Sequence, residues 1–161
     1  MIEKLGFEMN KRIRREYRNE PTTATIGGQT HHFRSKFEYQ WAKYLQFLKD
    51  TGDIAHWLYE PHTFYFHDVR TAPVQYTPDF VVKKPDGSAV WQECKGLLES
   101  HDATKFQRMA EQYPGEILEL VMQRIPKRGN AANRLDRIQR KQWVRRVIDA
   151  SVIFRQVKGL I

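Results

Sequence analysis

The stretch YTPDFVVKKPDGSAVWQECKG, residues 76–96, contains two apolar, strand-like runs separated by the turn-forming letters KPDG. This pattern predicts a β-hairpin. Three charged residues, Asp79, Glu93 and Lys95, lie inside the two runs. Because an acidic side chain is costly to bury unless it is paired or binds a cation, we expect these charges to serve a chemical purpose.

Strand alternation puts Glu93 and Lys95 on one face of the second strand and Cys94 on the other. If the two runs pair through the turn, the carboxylates of Asp79 and Glu93 converge within reach of one divalent cation. The backbone carbonyl of Cys94 would add a third oxygen, and magnesium or manganese is the cation that such ligands prefer. Lys95 could then orient or deprotonate the attacking water, or offset charge on a phosphate. A surface Asp and an exposed Glu–Lys pair are the alternative interpretation.

A helix is predicted upstream, in SKFEYQWAKYLQFLK at residues 35–49, because its apolar residues recur with the spacing of one helical face. Ser35 and Glu38 match the S-x-x-E capping box, in which the glutamate closes the start of the helix. Glu38 also lies close to Arg34 in the sequence and could instead face the sheet and complete a metal cluster. The sequence leaves both roles open.

The remaining segments alternate between strand and helix patterns, which predicts an α/β fold with a mixed central β-sheet flanked by helices. We divide the chain into a basic N-terminal arm at residues 1–24, a core at residues 25–125 and a basic helical C-terminal segment at residues 126–161, part of the same domain. The predicted elements are a hairpin in TATIGGQTHHF (23–33), a proline-interrupted strand in WLYEPHTFYF (57–66), a helix in HDATKFQRMAEQY (101–113), a strand in EILELVMQ (116–123) and a helix in NRLDRIQRKQWVRRVIDA (133–150).

Composition limits the class of protein. The chain has 161 residues, 40% of them hydrophobic, which is enough for the core of one ordinary domain. A single cysteine, Cys94, excludes an internal disulfide and a cysteine-rich zinc site, and is typical of a reducing compartment. The N-terminus lacks the apolar stretch of a signal peptide, and no run is long enough for a membrane helix. We therefore expect a cytoplasmic protein with no membrane partner.

Charge is distributed unevenly along the chain, whose formal net charge is +8. Residues 1–37 carry 8 basic and 4 acidic residues, residues 38–119 carry 8 and 13, and residues 120–161 carry 11 and 2. The net charge indicates a polyanionic partner such as nucleic acid. An acidic centre that must approach phosphate implies bridging magnesium or manganese ions. The alternative is that most of these acidic side chains lie on a solvated face.

Several motifs occur in the same order as in a known family. They are Phe33-Arg34-Ser35 with Glu38, Tyr59-Glu60, Tyr76-Thr77-Pro78-Asp79-Phe80, Glu93-Cys94-Lys95-Gly96 and Glu99-Ser100. Over roughly residues 25–105 the chain resembles the phage endonuclease I family of Holliday junction resolvases, within the PD-(D/E)XK nuclease superfamily. An ordered set of motifs is more specific than a bare D…E-x-K pattern.

The resemblance implies a restriction-endonuclease-like core and a phosphodiester hydrolase that cuts four-way DNA junctions as a symmetric homodimer. It implies that Glu38, Asp79 and Glu93 bind the metal and that Lys95 assists the attacking water. Magnesium is the expected cofactor, with manganese able to substitute. If a phage encodes the protein, the expected location is the cytoplasm of the host cell.

Contacts to DNA phosphates are expected from basic side chains, which supply affinity rather than base recognition. For each of them a solvated side chain is the alternative interpretation. The predicted contacts are Arg34, Lys36, Lys83, Lys84, Lys127 and Arg128, and the predicted C-terminal helix would extend them through Arg134, Arg137, Arg140, Lys141, Arg145 and Arg146.

Two other functions stay open. One is a PD-(D/E)XK nuclease that cuts or nicks other DNA in packaging, recombination or transposition. The other is a non-catalytic DNA-binding protein of the same fold. The presence of Asp79, Glu93 and Lys95 argues against the second, because acidic side chains near phosphate weaken simple binding.

Overall fold

Strands and helices alternate along the computed structural model, which describes residues 20–161. Residues 1–19 of the predicted basic arm lie outside the described part of the chain. The described elements are, in chain order, β1 (Thr22–Ile26), β2 (Gln29–Phe33), α1 (Lys36–Asp50), β3 (His56–Tyr59), β4 (Phe64–Tyr65), β5 (Gln75–Tyr76), β6 (Phe80–Lys83), β7 (Ala89–Lys95), α2 (Ser100–Gln112), β8 (Leu118–Met122), α3 (Gly129–Arg140), β9 (Arg146–Asp149) and α4 (Ala150–Gln156). None of the helices within residues 20–161 has the length and apolar character that spanning a bilayer requires.

A five-stranded sheet in the order β3-β6-β7-β8-β9 forms the centre of the fold. β3, β6 and β7 are antiparallel, whereas β7, β8 and β9 are parallel, so the predicted mixed central sheet is confirmed. The predicted hairpin is confirmed as well: β6 pairs with β7, with Phe80 opposite Gln92. Its turn is closed by the backbone N–H of Lys84, which donates to the carbonyl of Ser88 at 2.8 Å.

The N-terminal hairpin and α1 follow from local signals in the sequence. β1 and β2 pair through a two-residue turn in which Gly27 and Gly28 adopt φ values of +58° and +81°, a region that favours glycine. Ser35 is the N-cap of α1, and its hydroxyl oxygen accepts a hydrogen bond from the backbone N–H of Glu38 at 3.1 Å. The predicted hairpin and helix are both confirmed.

Two runs that sequence patterning predicts as single strands are each divided between two sheets: residues 57–66 and the first run of the hairpin stretch, which contains Asp79. In residues 57–66, β3 ends at Tyr59, and β4 pairs with β5 in a separate two-stranded sheet. Between them Glu60 has a φ of +45°, and the following Pro61 has no N–H to continue the ladder. The break between β5 and β6 leaves Asp79 immediately before β6, at one end of the central sheet.

The prediction of one helix over residues 133–150 is wrong in its second half. α3 ends at Arg140, and residues 146–149 form β9, which pairs parallel with β8. Val147 and Ile148 pack on opposite faces of the sheet, as alternating strand residues do. Their burial between other elements outweighs the helical pattern of the neighbouring charges. The C-terminal segment is therefore a helix, an edge strand and the short helix α4.

Apolar cores cover both faces of the central sheet. On one face α1 and the N-terminal hairpin pack through a core that includes Phe33, Trp41, Leu45, Phe80 and Val121. On the other face α2 and α3 pack through a core that includes Phe66, Phe106, Met109, Leu120 and Ile138. The sheet is thus sandwiched between two helical layers, which leaves the ends of its strands for polar side chains.

A buried polar network crosses the α1 face of the sheet. The indole N–H of Trp41 donates to Gln92 Oε1 at 2.9 Å, and the amide of Gln92 donates to Glu119 Oε2 at 2.9 Å. Arg146 completes the network, because its Nε lies 2.8 Å from Glu119 Oε1 while its side chain is 61% exposed. One buried carboxylate therefore meets one guanidinium and one amide.

Candidate functional site

A cavity of about 880 Å³ opens at the end of the central sheet where β6 begins and β7 ends. The starts of α1 and α2 and the segment around β5 also line it. Six carboxylates but only four lysine or arginine side chains line the cavity, so it is acidic. All residues predicted to be catalytic or to bind metal line it: Glu38, Asp79, Glu93, Cys94 and Lys95. Two of the predicted phosphate contacts, Arg34 and Lys36, line it as well.

Glu38 caps the start of α1 and also lines the cavity. Its carboxylate accepts hydrogen bonds from the Ser35 hydroxyl at 2.9 Å and from the backbone N–H of Arg34 at 3.0 Å, so it helps to close the start of α1. The phenol of Tyr59 donates to the same carboxylate at 2.6 Å, and burial together with this bond raises the pKa of Tyr59. Because Glu38 is buried and lines the cavity, capping does not remove it from the site.

Asp79 is 2% exposed, and both of its oxygens have donors. Oδ2 accepts the backbone N–H of Cys94 at 2.7 Å, and Oδ1 accepts the Arg34 guanidinium at 2.6 Å. Burial raises the pKa of Asp79 well above its ordinary value, and the negative charges of Glu93 and Glu38 raise it further. The carboxylates of Glu93 and Glu38 therefore both act on Asp79, although the three residues come from separate parts of the sequence.

Glu93 and Asp102 share two lysines at the side of the cavity nearest α2. Lys95 Nζ lies 3.1 Å from Glu93 Oε1 and 3.0 Å from Asp102 Oδ1, and Lys105 Nζ lies 3.2 Å and 3.3 Å from the same two oxygens. The phenol of Tyr76 donates to the other oxygen of Glu93 at 2.9 Å. Both carboxylates are buried, and the two ammonium groups balance their charges.

Lys95 is held in its charged form. Burial acts to lower the pKa of Lys95, but the charges of Glu93 and Asp102 outweigh burial and raise the pKa above its ordinary value. A lysine that stays protonated at neutral pH can donate hydrogen bonds but cannot remove a proton. This arrangement favours the predicted role of Lys95 in orienting water or offsetting phosphate charge over the predicted role as a base.

The contribution of α2 is the part of the site that sequence reasoning missed. Asp102 and Lys105 lie three residues apart in the predicted helix at residues 101–113, and this spacing, which puts them on one helical face, is the signal that could have revealed them. Tyr59 and Tyr76 belong to the family-like motifs, and the structure adds their hydrogen bonds to buried carboxylates.

The predicted phosphate contacts fall into two groups. Arg34 and Lys36 line the cavity at the start of α1. Four others do not line it, because they lie at the far end of β6 or in the connection between β8 and α3: Lys83, Lys84, Lys127 and Arg128. The β8–α3 connection starts at Gln123, which does line the cavity. Basic side chains therefore begin at the cavity and continue away from it along this connection.

Some basic residues of the C-terminal segment are bound within the protein. The guanidinium of Arg137 lies 5.3 Å from the centre of the Trp143 ring, and Arg140 pairs with Asp136 at 2.8 Å. We call the following the C-terminal basic residues, which are exposed and have no carboxylate within 4.0 Å among residues 20–161: Arg124, Lys127, Arg128, Lys141 and Arg145.

The chemistry of the cavity fits a divalent cation in its donor set. Glu38, Asp79 and Glu93 supply carboxylate oxygens, which magnesium and manganese prefer. Burial is the main cause of the raised pKa of Asp79, and the negative charges of Glu93 and Glu38, which a cation would neutralise, add to it. Within residues 20–161 no group of three or more His, Cys, Asp or Glu side chains is arranged to hold a metal ion. The carboxylates instead contact Arg34, Lys95, Lys105 and neighbouring hydrogen-bond donors.

Comparison of the chain with protein-family models, with curated proteins and with solved structures finds no match. Function has to be inferred from the cavity, its charges and the motifs that form it.

Proposed function

We propose that the protein is a metal-dependent DNA endonuclease that hydrolyses phosphodiester bonds and has a restriction-endonuclease-like PD-(D/E)XK core. One observation carries the proposal: Glu38, Asp79, Glu93 and Lys95, from α1, the start of β6 and β7, line a single acidic cavity. Three buried carboxylates beside a charged lysine suit the binding of a divalent cation and of a phosphate at the same place. Magnesium is the proposed cofactor, and manganese would substitute for it.

The order of the elements supports such a core. α1 is followed by three antiparallel strands, β3, β6 and β7, and then by α2 and the parallel strand β8. Because β6 and β7 run in opposite directions, the start of β6 and the end of β7 lie at the same end of the sheet, beside the N-termini of α1 and α2. Helix N-termini carry partial positive charge, which favours carboxylates and phosphates there.

The residues of the cavity have distinct proposed roles. A cation held by Asp79 and Glu93, with Glu38, would supply a Lewis acid that lowers the pKa of a water and neutralises charge on the phosphate. The backbone N–H of Cys94 fixes one oxygen of Asp79, so that its carboxylate is oriented before substrate arrives. Lys95, held protonated, donates to the attacking water or to a phosphate oxygen.

We propose that the DNA is branched, with a four-way junction as the preferred substrate, and that a homodimer makes paired cuts. The family-like motifs support this choice, and the charge distribution is compatible with it. Lys36 at the cavity and the C-terminal basic residues would contact phosphates, while the acidic cavity admits a phosphate only together with a cation.

A non-catalytic DNA-binding protein is the second candidate, and one observation favours it. The carboxylates of Glu38, Asp79 and Glu93 are all bound by donors of the chain itself. Such a set could be a structural ion cluster that never meets a metal. A nuclease that acts on other DNA in packaging, recombination or transposition would retain the same site chemistry and differ only in substrate.

Cleavage assays separate these candidates. The protein is incubated with magnesium and labelled four-way junction, fork, single-stranded and linear duplex DNA, beside the Glu93→Gln variant. We expect cleavage of the junction above all other DNA and a loss of about a hundredfold or more in the variant, because one ligand of the reacting centre is removed. Glu111→Gln is the matched control, since Glu111 is an exposed carboxylate of α2 that does not line the cavity.

The outcomes distinguish the candidates. Binding of DNA without cleavage by the wild type would reject both nuclease functions. Equal cleavage of linear duplex and junction would reject junction selectivity and leave the chemistry intact. An equal loss in Glu111→Gln and Glu93→Gln would mean that the cavity is not where cleavage takes place.

A further inference from the structure

Arg34 is bound to acidic groups through both its side chain and its backbone. Its Nη2 lies 2.6 Å from Asp79 Oδ1 and 2.7 Å from Glu60 Oε1. Its backbone N–H donates to Glu38 at 3.0 Å and to the phenol oxygen of Tyr59 at 3.2 Å. Burial acts to lower the pKa of Arg34, and the surrounding carboxylates outweigh burial and raise it. The guanidinium is thus the counter-charge of the carboxylates at the start of α1.

The side chain of Arg34 binds the Asp79 oxygen that a cation would need. Asp79 Oδ2 is engaged by the backbone N–H of Cys94, a group fixed within β7. The donor to Oδ1 is instead the side chain of Arg34, whose Nη2 lies 2.6 Å away, so Oδ1 is the oxygen that a ligand can gain by displacing a side chain. A divalent cation binds carboxylate oxygen at about 2.0–2.6 Å, so it would meet the guanidinium charge at very short range.

We infer that Arg34 competes with the divalent cation for Asp79 and is released toward the substrate phosphate when the cation binds. This inference rests on the proposed metal-dependent function. Release is feasible because the Arg34 side chain is 58% exposed, whereas Asp79 is buried and cannot follow it. A planar guanidinium at the mouth of the cavity is suited to bind a phosphate, so the released residue gains a new partner.

Lys36 provides a matched control. It lies two residues after Arg34, lines the same cavity and carries the same charge. It is exposed and has no carboxylate within 4.0 Å in the part of the chain that the structure describes. Its substitution by alanine therefore removes one positive charge from the cavity without freeing an oxygen of Asp79.

The test measures manganese binding in the absence of DNA. Mn²⁺ is titrated into the wild type, Arg34→Ala, Arg34→Gln and Lys36→Ala, and free Mn²⁺ is followed by electron paramagnetic resonance. We expect both Arg34 variants to bind Mn²⁺ about tenfold more tightly, because a charge-assisted hydrogen bond no longer competes. Lys36→Ala should stay within about twofold of the wild type, since at distances beyond direct contact solvent screens its charge. Circular dichroism on each variant confirms that the fold is retained.

The outcomes separate the competition from the proposed function. Unchanged or weaker Mn²⁺ binding in both folded Arg34 variants would overturn the competition, as would equal tightening in Lys36→Ala. If neither the wild type nor any variant binds Mn²⁺ at millimolar concentration, the competition and the metal-dependent function both fail. If binding tightens as expected but the wild type cuts no DNA, the competition stands and the nuclease function fails.

Discussion

Gln92 and Glu93 are neighbours in β7, and their side chains enter two different polar clusters on opposite faces of the sheet. Gln92 belongs to the buried polar network, where Glu119 is paired with Arg146 and a single acid meets a single cation. Glu93 belongs to the cavity, where Lys95 and Lys105 balance Glu93 and Asp102, but the buried carboxylates of Glu38 and Asp79 have one arginine between them and the pKa of Asp79 is raised. A balanced cluster holds the strands together. An excess of buried carboxylates costs stability, which is why we ascribe a function to the second cluster and a structural role to the first.

Substitution of Asp79 by asparagine should give the largest effect and sharpen the contrast. The change removes a proposed cation ligand, so we expect DNA cleavage to fall about a hundredfold or more. It also removes a crowded negative charge, so the free energy of unfolding should stay unchanged or rise by about 1 kcal/mol. Cleavage rates and urea unfolding measure the two effects on the same samples. A large loss of stability would mean that Asp79 is a structural group like Glu119.

The same variant makes a prediction about pH. Because the pKa of Asp79 is raised in the folded protein, the native state binds the proton more tightly than the unfolded state. The contribution of this residue to stability is therefore most favourable below its unfolded pKa and is lost as the pH rises through the folded pKa. The stability of the wild type relative to Asp79→Asn should accordingly decrease as the pH rises above about 4. The reverse slope in urea unfolding would contradict the assigned direction.

Substitution of Glu119 by alanine should have the opposite profile. We expect the free energy of unfolding to fall by about 2 kcal/mol, because the buried amide of Gln92 loses its acceptor while the exposed Arg146 is rehydrated. Cleavage per folded molecule should stay close to that of the wild type. Glu111→Ala, an exposed position, is the control and should change stability by less than about 0.5 kcal/mol. If Glu119→Ala folded fully but lost cleavage, the buried polar network would also be needed for function, which would contradict the separation of the two clusters.

Replacement of Lys127 and Arg128 by alanine should have the smallest effect. If DNA follows the β8–α3 connection away from the cavity, affinity for DNA should fall several-fold and the salt dependence of binding should weaken by about two charges. Affinity for Mn²⁺ should not change, because neither residue lines the cavity. The comparison is the double variant Lys83→Ala with Lys84→Ala, at the far end of β6. A greater loss of DNA affinity in the Lys83 and Lys84 variant would indicate that DNA binds at the other end of the sheet.

The parts of the fold that sequence reasoning predicted are those with local causes. The hairpin of β6 and β7 depends on a turn and on alternation within one stretch, and α1 depends on its own spacing and its Ser35 cap. β9 was not predictable in this way, because Val147 and Ile148 become strand residues only when β8 lies beside them. Charge periodicity alone favours a helix there.

The site divides along the same line. Glu93 and Lys95 were predicted together because residues two apart share a strand face. The spacing of Asp102 and Lys105 indicates that they share one helical face, but their position beside Glu93 and Lys95 depends on how α2 packs against β7, which the sequence does not give. The ion pair between Arg34 and Asp79 joins residues 45 positions apart, so a predicted phosphate contact is engaged elsewhere in the structure.

The exposed turn from Lys84 to Ser88 has a consequence far from where it lies. It sets the register in which β6 opposes β7, and side chains in a strand change face with every residue. A slip that moved Glu93 into the place of Gln92, beside Trp41, would put the Cys94 thiol in the place of Glu93 in the cavity. The length of this surface turn, which contacts no candidate metal ligand, thus determines which side chains of β7 face the cavity. Insertions in this turn should therefore be treated as changes to the candidate site.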